Sequence, residues 1–182
     1  MKEKYVFDML KELSPFNSMY FFLLFGLACF VLAINLPIEN YAGLSFKARS
    51  VNGKHRLLFD ASFFVTLFMS TYIVLRYKKC GFSTTLKCEI RKNVQLADEK
   101  RQNDAGKPIK KGVAISYLFY ILMFLAMYAG PASNSPKYYQ LYYGHIALAF
   151  GHVLFFHIVF MSMLLLIVHC YEARQYIQRK YE

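Results

Sequence analysis

Four long apolar runs limit what this chain can fold into: residues 15–36, 57–75, 112–130 and 144–169. Each reaches or nearly reaches the roughly 20 residues that carry a helix across a bilayer. In hydrocarbon only helices and closed barrels satisfy their own backbone. These runs are continuous and lack the alternation of barrel strands. The expected fold class is therefore an all-α membrane protein, a four-transmembrane-helix bundle within 182 residues. Composition agrees, since 57% hydrophobic residues with 18% aromatic exceed what a soluble domain uses.

The runs divide the rest of the chain. Residues 1–14 precede the first span, 37–56 and 131–143 form loops on one side, 76–111 lies between the inner pair of spans, and 170–182 is a tail. Segment 76–111 holds eleven of the 22 basic residues, Arg76, Lys78, Lys79, Lys87, Arg91, Lys92, Lys100, Arg101, Lys107, Lys110 and Lys111. Only Glu89, Asp98, Glu99 and Asp104 oppose them. Such charge density beside a span resists translocation. Seventeen basic residues fall on the side of the termini and five on the side of the two loops. Both termini and the basic segment are accordingly expected in the cytoplasm of a bacterial cell, with the spans in its inner membrane. The net charge of +11 is then read as topology and contact with anionic lipid, and no direct nucleic-acid partner is assigned.

Residues 3–13 pattern as an amphipathic helix resting on the membrane surface, with Val6, Met9, Leu10 and Leu13 in one stripe. Asn52-Gly53 marks a turn in the first outer loop, which is read as a loop that admits a hairpin. Asp60 opens the second span, and Ser62, Thr66 and Ser70 follow on one face at the spacing of a polar helix–helix contact. Gly81 interrupts the helix leaving the membrane, and Ser83-Thr84-Thr85 caps a new one. On that helix Leu86, Ile90, Val94 and Ala97 line one side. With Lys107, Lys110 and Lys111, the residues Leu86, Ile90 and Val94 form the expected docking site for a soluble cytosolic protein. Tyr138, Tyr139, Tyr142 and Tyr143 in the second outer loop pattern as an aromatic belt.

The last span holds four of the five histidines. His145 and His152 lie within about 20° on a helical wheel, and Ser162 and His169 lie on a neighbouring strip. Together they are expected to form a polar face pointing into the bundle. His157 lies about 140° from His152, on a side suited to lipid, and is assigned a contact between copies in a homo-oligomer, the alternative being cover by another span of the same chain. No catalytic motif is present, no histidine pair has metal-ligand spacing and no two cysteines form a paired motif. No enzyme activity, cofactor or metal is therefore expected.

In its arrangement of spans, and in no residue motif, the whole chain resembles the membrane subunit of the Kiwa anti-phage defence system. That family comprises small four-span inner-membrane proteins that oligomerise and partner a cytosolic subunit. The layout is also similar to the four-span immunity proteins of pore-forming colicins, most of which have a shorter cytoplasmic loop. The first resemblance implies a membrane sensor that recruits an effector; the second implies protection against a bacteriocin. A small channel or carrier using the histidine face is a third expectation.

Overall fold

The computed structural model describes residues 3–13, 31, 35, 41–51, 53–103, 112–133 and 135–181. Among these, seven helices and no strands occur: α1 (Glu3–Leu13), α2 (Phe46–Arg49), α3 (Gly53–Cys80), α4 (Thr84–Asn103), α5 (Gly112–Tyr128), α6 (Pro136–Tyr142) and α7 (Ile146–Tyr181). The expected first span, 15–36, lies outside the described residues apart from Val31 and Asn35.

Two helices, α3 and α7, are long and apolar enough to cross a membrane. Their 28 and 36 residues rise about 42 and 54 Å. Both exceed the roughly 30 Å of a hydrocarbon core. Helix α5 is shorter: its 17 residues rise about 25 Å. The three pack as a bundle, with α7 against both α3 and α5.

The interior is aromatic. Phe160 of α7 is fully buried, and its ring lies 5.7 Å from Tyr120, 5.5 Å from Phe124 and 6.0 Å from Tyr128 of α5. Phe63 of α3 meets Phe124 and Tyr128 from the other side, at 5.7 and 5.4 Å. Ring pairs at these distances add specific geometry to simple burial. Phe64, Leu67, Phe68, Ile115, Leu118, Phe119, Leu122, Phe155 and Ile158 point outward and are exposed. An apolar exterior around a packed interior is compatible with a bundle that crosses a membrane.

At the tail end of the bundle, α1, α4 and the last turns of α7 form a folded unit. Met9 and Leu13 of α1 are fully buried, and Phe82 just before α4, Leu86, Ile90 and Val94 of α4 and Ala173 of α7 are buried with them. The expected surface helix 3–13 is thus docked on its own bundle through its apolar stripe. Gly81, at φ 63°, makes the reversal from α3 to α4 in a backbone region that favours glycine. The hydroxyl oxygen of Ser83 then accepts from the N–H of Leu86 at 3.3 Å, which caps α4 where the sequence places the cap.

Candidate functional site

At the opposite end, residues 41–51 and 53–60 interlock with 131–133 and 135–145 into a cap, and Asp60 fixes it. Its side chain accepts from the Tyr41 hydroxyl at 2.7 Å and from the N–H groups of Leu44 and Ser45 at 2.6 and 2.8 Å. The residue is 2% exposed, so a buried acid is compensated by three donors. Burial and the Asp60 bond together push the Tyr41 hydroxyl from 10.0 up to about 12. Gly43 adopts φ 77°, and a Cβ there would meet the backbone of Ala48 and Arg49 at 3.0 Å. Only glycine allows the chain to double back so tightly.

Ser45 then caps α2 by accepting from Ala48 N–H at 3.2 Å. The segment is a short helix, and Gly53 opens α3 directly, so no hairpin forms around position 53. Hairpin pairing needs alternating strands, and Asp60 instead draws the Leu44 and Ser45 amides into side-chain bonds. Arg56 fastens the far side, donating to the carbonyls of Val51 at 2.8 Å and Tyr41 at 2.9 Å.

The second loop locks onto the first. Lys47, 4% exposed, donates to the Pro131 carbonyl at 2.8 Å and stands 5.2 Å from the Tyr142 ring centre. Burial pushes its ammonium below the usual lysine range. The Ala132 N–H donates to the Ser50 hydroxyl at 2.6 Å, and the Tyr143 hydroxyl donates to the Ser50 carbonyl at 2.8 Å. The expected tyrosine belt is therefore divided. Tyr138 and Tyr139 face outward, whereas Tyr142 is buried and Tyr143 is a bolt between the loops.

Between cap and tail runs a ladder of hydroxyl contacts. Ser62 and Ser70 of α3 meet Tyr128 and Tyr120 of α5 at 2.6 and 2.7 Å. Eight residues separate the members of each pair, so two antiparallel stripes meet in constant register. Thr66 stands between them, 3.5 Å from the Tyr128 hydroxyl and 2.8 Å from His157 Nδ1 on α7. These contacts join three helices across a ring-packed interior. The Ser62, Thr66 and Ser70 face thus makes the polar helix–helix contact that its spacing indicates.

The histidines are arranged differently from the expected polar face. His157 is 6% exposed and bonded to Thr66 of its own chain, which removes the reason for assigning it to a contact between copies. Val153, Phe160, Leu164 and Val168, which share its side of α7, are also buried in the bundle. His145 is exposed and precedes α7, where its Nδ1 accepts from the Ala147 N–H at 3.2 Å. Ser162 is exposed as well, so the proposed strip does not point inward as a unit. His152 is half-buried among Phe156, Tyr142 and Phe59, with ring centres 4.8, 5.6 and 6.5 Å away. Its Nε2 is buried without a hydrogen-bond partner among the described residues. His169 is half-buried nearer the tail. The wheel misleads here because α7 is apolar on nearly every side. A few small or polar residues cannot then tell the packed side from the outer one.

The tail unit contains the expected docking stripe, but that stripe is not available to a partner. Leu86, Ile90 and Val94 are 3%, 0% and 7% exposed, covered within the chain where α4 packs on α7. Glu12 ties α1 to this unit. Its carboxylate accepts from the Ser83 N–H at 2.8 Å and from the Ser83 hydroxyl, while its carbonyl accepts from Arg76 at 2.8 Å. Tyr77 donates to Glu172 at 2.6 Å, and Gln95 donates to the Tyr176 hydroxyl at 2.8 Å. What remains outside is mainly basic: Lys78, Lys79, Arg91, Lys92 and Arg174 are exposed, with Glu89 among them. Lys107, Lys110 and Lys111 lie outside the described residues.

Among the described residues no group of three or more His, Cys, Asp or Glu is placed to hold a metal ion. Comparison with known proteins found no matching family model, curated protein or solved structure.

Proposed function

We propose that this chain is a four-span protein of the bacterial inner membrane, with both termini in the cytoplasm, that acts without enzymatic chemistry as a sensor and anchor. The cap faces outward, and the unit of α1, α4 and the end of α7 faces the cytosol. That unit recruits a soluble effector, in keeping with the Kiwa-like arrangement of spans and a role in anti-phage defence. The observation that carries the reading is the exposed basic surface of the tail unit, Lys78, Lys79, Arg91 and Lys92, over an apolar stripe already satisfied within the chain. A rigid cationic surface selects an acidic partner by electrostatic steering. The effector's docking is therefore assigned to charge and not to the Leu86/Ile90/Val94 stripe.

The test is co-purification with the product of the adjacent reading frame. Lys79→Glu combined with Lys92→Glu should abolish capture while leaving membrane insertion and thermal stability unchanged. Capture by the unaltered protein should weaken steadily as salt rises. Capture that survives both charge reversal and high salt would remove the basic surface from consideration.

A further inference from the structure

The cap inverts the usual polarity of a surface segment. Lys47 is turned inward at 4% exposure, while its neighbours Leu44 and Phe46 are 62% and 68% exposed. Rotation cannot relieve this. Lys47 is held by the Pro131 carbonyl and the Tyr142 ring, and Leu44 and Ser45 are held by Asp60. Burying a large apolar side chain is worth about 1.5–3 kcal/mol, so two such groups fixed in water would be a standing penalty.

Their surroundings indicate what covers them. Among the described residues of the cap the one acid, Asp60, is buried, whereas Arg49, Lys54 and Lys137 are exposed. Tyr138 and Tyr139 are exposed on α6 of the same cap. One and two turns beyond Asp60 along α3, Phe64 and Phe68 are exposed, so apolar surface continues from the cap onto the flank of the bundle. Apolar tips, outward tyrosines and exposed cations beside a buried acid match the boundary between phosphate headgroups and acyl chains. An acidic or polar protein surface would match the cations but leave Leu44 and Phe46 unanswered.

We infer that the cap is a membrane-dipping element: Leu44 and Phe46 insert into the outer headgroup–acyl boundary, and Arg49 and Lys137 face lipid phosphates. The inference rests on the membrane-spanning reading above and adds that the outer cap is itself lipid-bound. A cap held in this way would feel the packing of the outer leaflet, and Asp60 connects it to α3.

The chain contains no tryptophan, so Phe46→Trp supplies a sole reporter for the purified full-length protein in phosphatidylcholine–phosphatidylglycerol vesicles. The expected result is blue-shifted emission, strongly quenched by lipids brominated near the carbonyl end of the acyl chains and weakly by those brominated at the chain ends. That pattern corresponds to a depth of about 5–10 Å. Leu44→Trp should give the same pattern if the first variant folds poorly. Red-shifted emission quenched by aqueous iodide overturns the inference. So does blue-shifted emission that brominated lipid leaves intact, which would mean that protein, such as a second copy, covers the site. Flotation separates the two levels: protein that fails to float with the vesicles overturns the membrane reading as well, whereas floating protein with an aqueous tryptophan overturns this inference alone.

Discussion

Replacing Asp60 by alanine removes the acceptor for three donors at once, the Tyr41 hydroxyl and the N–H groups of Leu44 and Ser45. Hydrogen bonds to a charged group contribute about 1.5–3 kcal/mol each, so simple addition gives roughly 4.5–9 kcal/mol. That total is too large, because Tyr41 and Ser45 are half-buried and Leu44 is exposed, and water can reach the released donors. A loss of about 3–5 kcal/mol is expected, similar to breaking other buried charged arrangements. For a chain of this length it lowers the thermal midpoint by roughly 10 °C. Asp60→Asn keeps one acceptor oxygen and should lose about half as much. The assay is thermal unfolding in detergent micelles, paired with thiol labelling of Val51→Cys in a cysteine-free background. Val51 is 1% exposed, so its labelling should be slow in the parent and fast once the cap is released. A midpoint unchanged in Asp60→Ala, with position 51 still protected, would refute the reasoning that Asp60 organises the cap.

Alkaline pH should release the same cap. Tyr41 is raised from 10.0 to about 12, so the folded cap holds the phenol proton more tightly than the unfolded chain; its contribution is intact below pH 10 and is lost as pH rises to about 12, which Val51→Cys labelling against pH will show. His157→Leu should leave the oligomer distribution unchanged in analytical ultracentrifugation, because its ring is bonded to Thr66 of the same chain. In a double-mutant cycle with Thr66→Val the pair should couple by about 0.6–1.7 kcal/mol. Ile90→Ser, at a fully buried position, should loosen the tail unit by about 2–5 kcal/mol and expose α4 to limited proteolysis while the bundle remains folded.

Several features were legible in the residues because a single local rule decides them. The Gly81 break with its Ser83 cap, the 3–13 helix and the hydroxyl stripe of α3 each follow from spacing or from one special backbone position. Other features depend on which sides of near-uniform apolar helices meet. Nothing local marks Phe160 and His157 as inward and Ser162 as outward, since every side of α7 can face either rings or lipid. The partner stripe illustrates another limit. Leu86, Ile90 and Val94 signal that something covers α4, and periodicity cannot say whether that cover is another protein or the end of α7. The sequence shows only a tail past Cys170, whereas α7 continues there with Ala173 buried and Tyr176 bonded to Gln95 of α4, which supplies the cover. The cap was hidden because Asp60 and Lys47 are residue types expected outside. Their burial arises from loops distant in sequence, with Lys47 reaching Pro131 across 84 residues.

The proposed arrangement puts the cap and the basic tail unit on opposite sides of a membrane. Impermeant maleimide labelling of single cysteines in a cysteine-free chain measures this directly. Ala42 and Ser135 are exposed in the cap, and Lys92 and Arg174 are exposed in the tail unit. On intact spheroplasts Ala42→Cys and Ser135→Cys should label, and Lys92→Cys and Arg174→Cys should label only after permeabilisation. Labelling of Lys92→Cys on sealed spheroplasts, or equal labelling of both ends, would contradict the account.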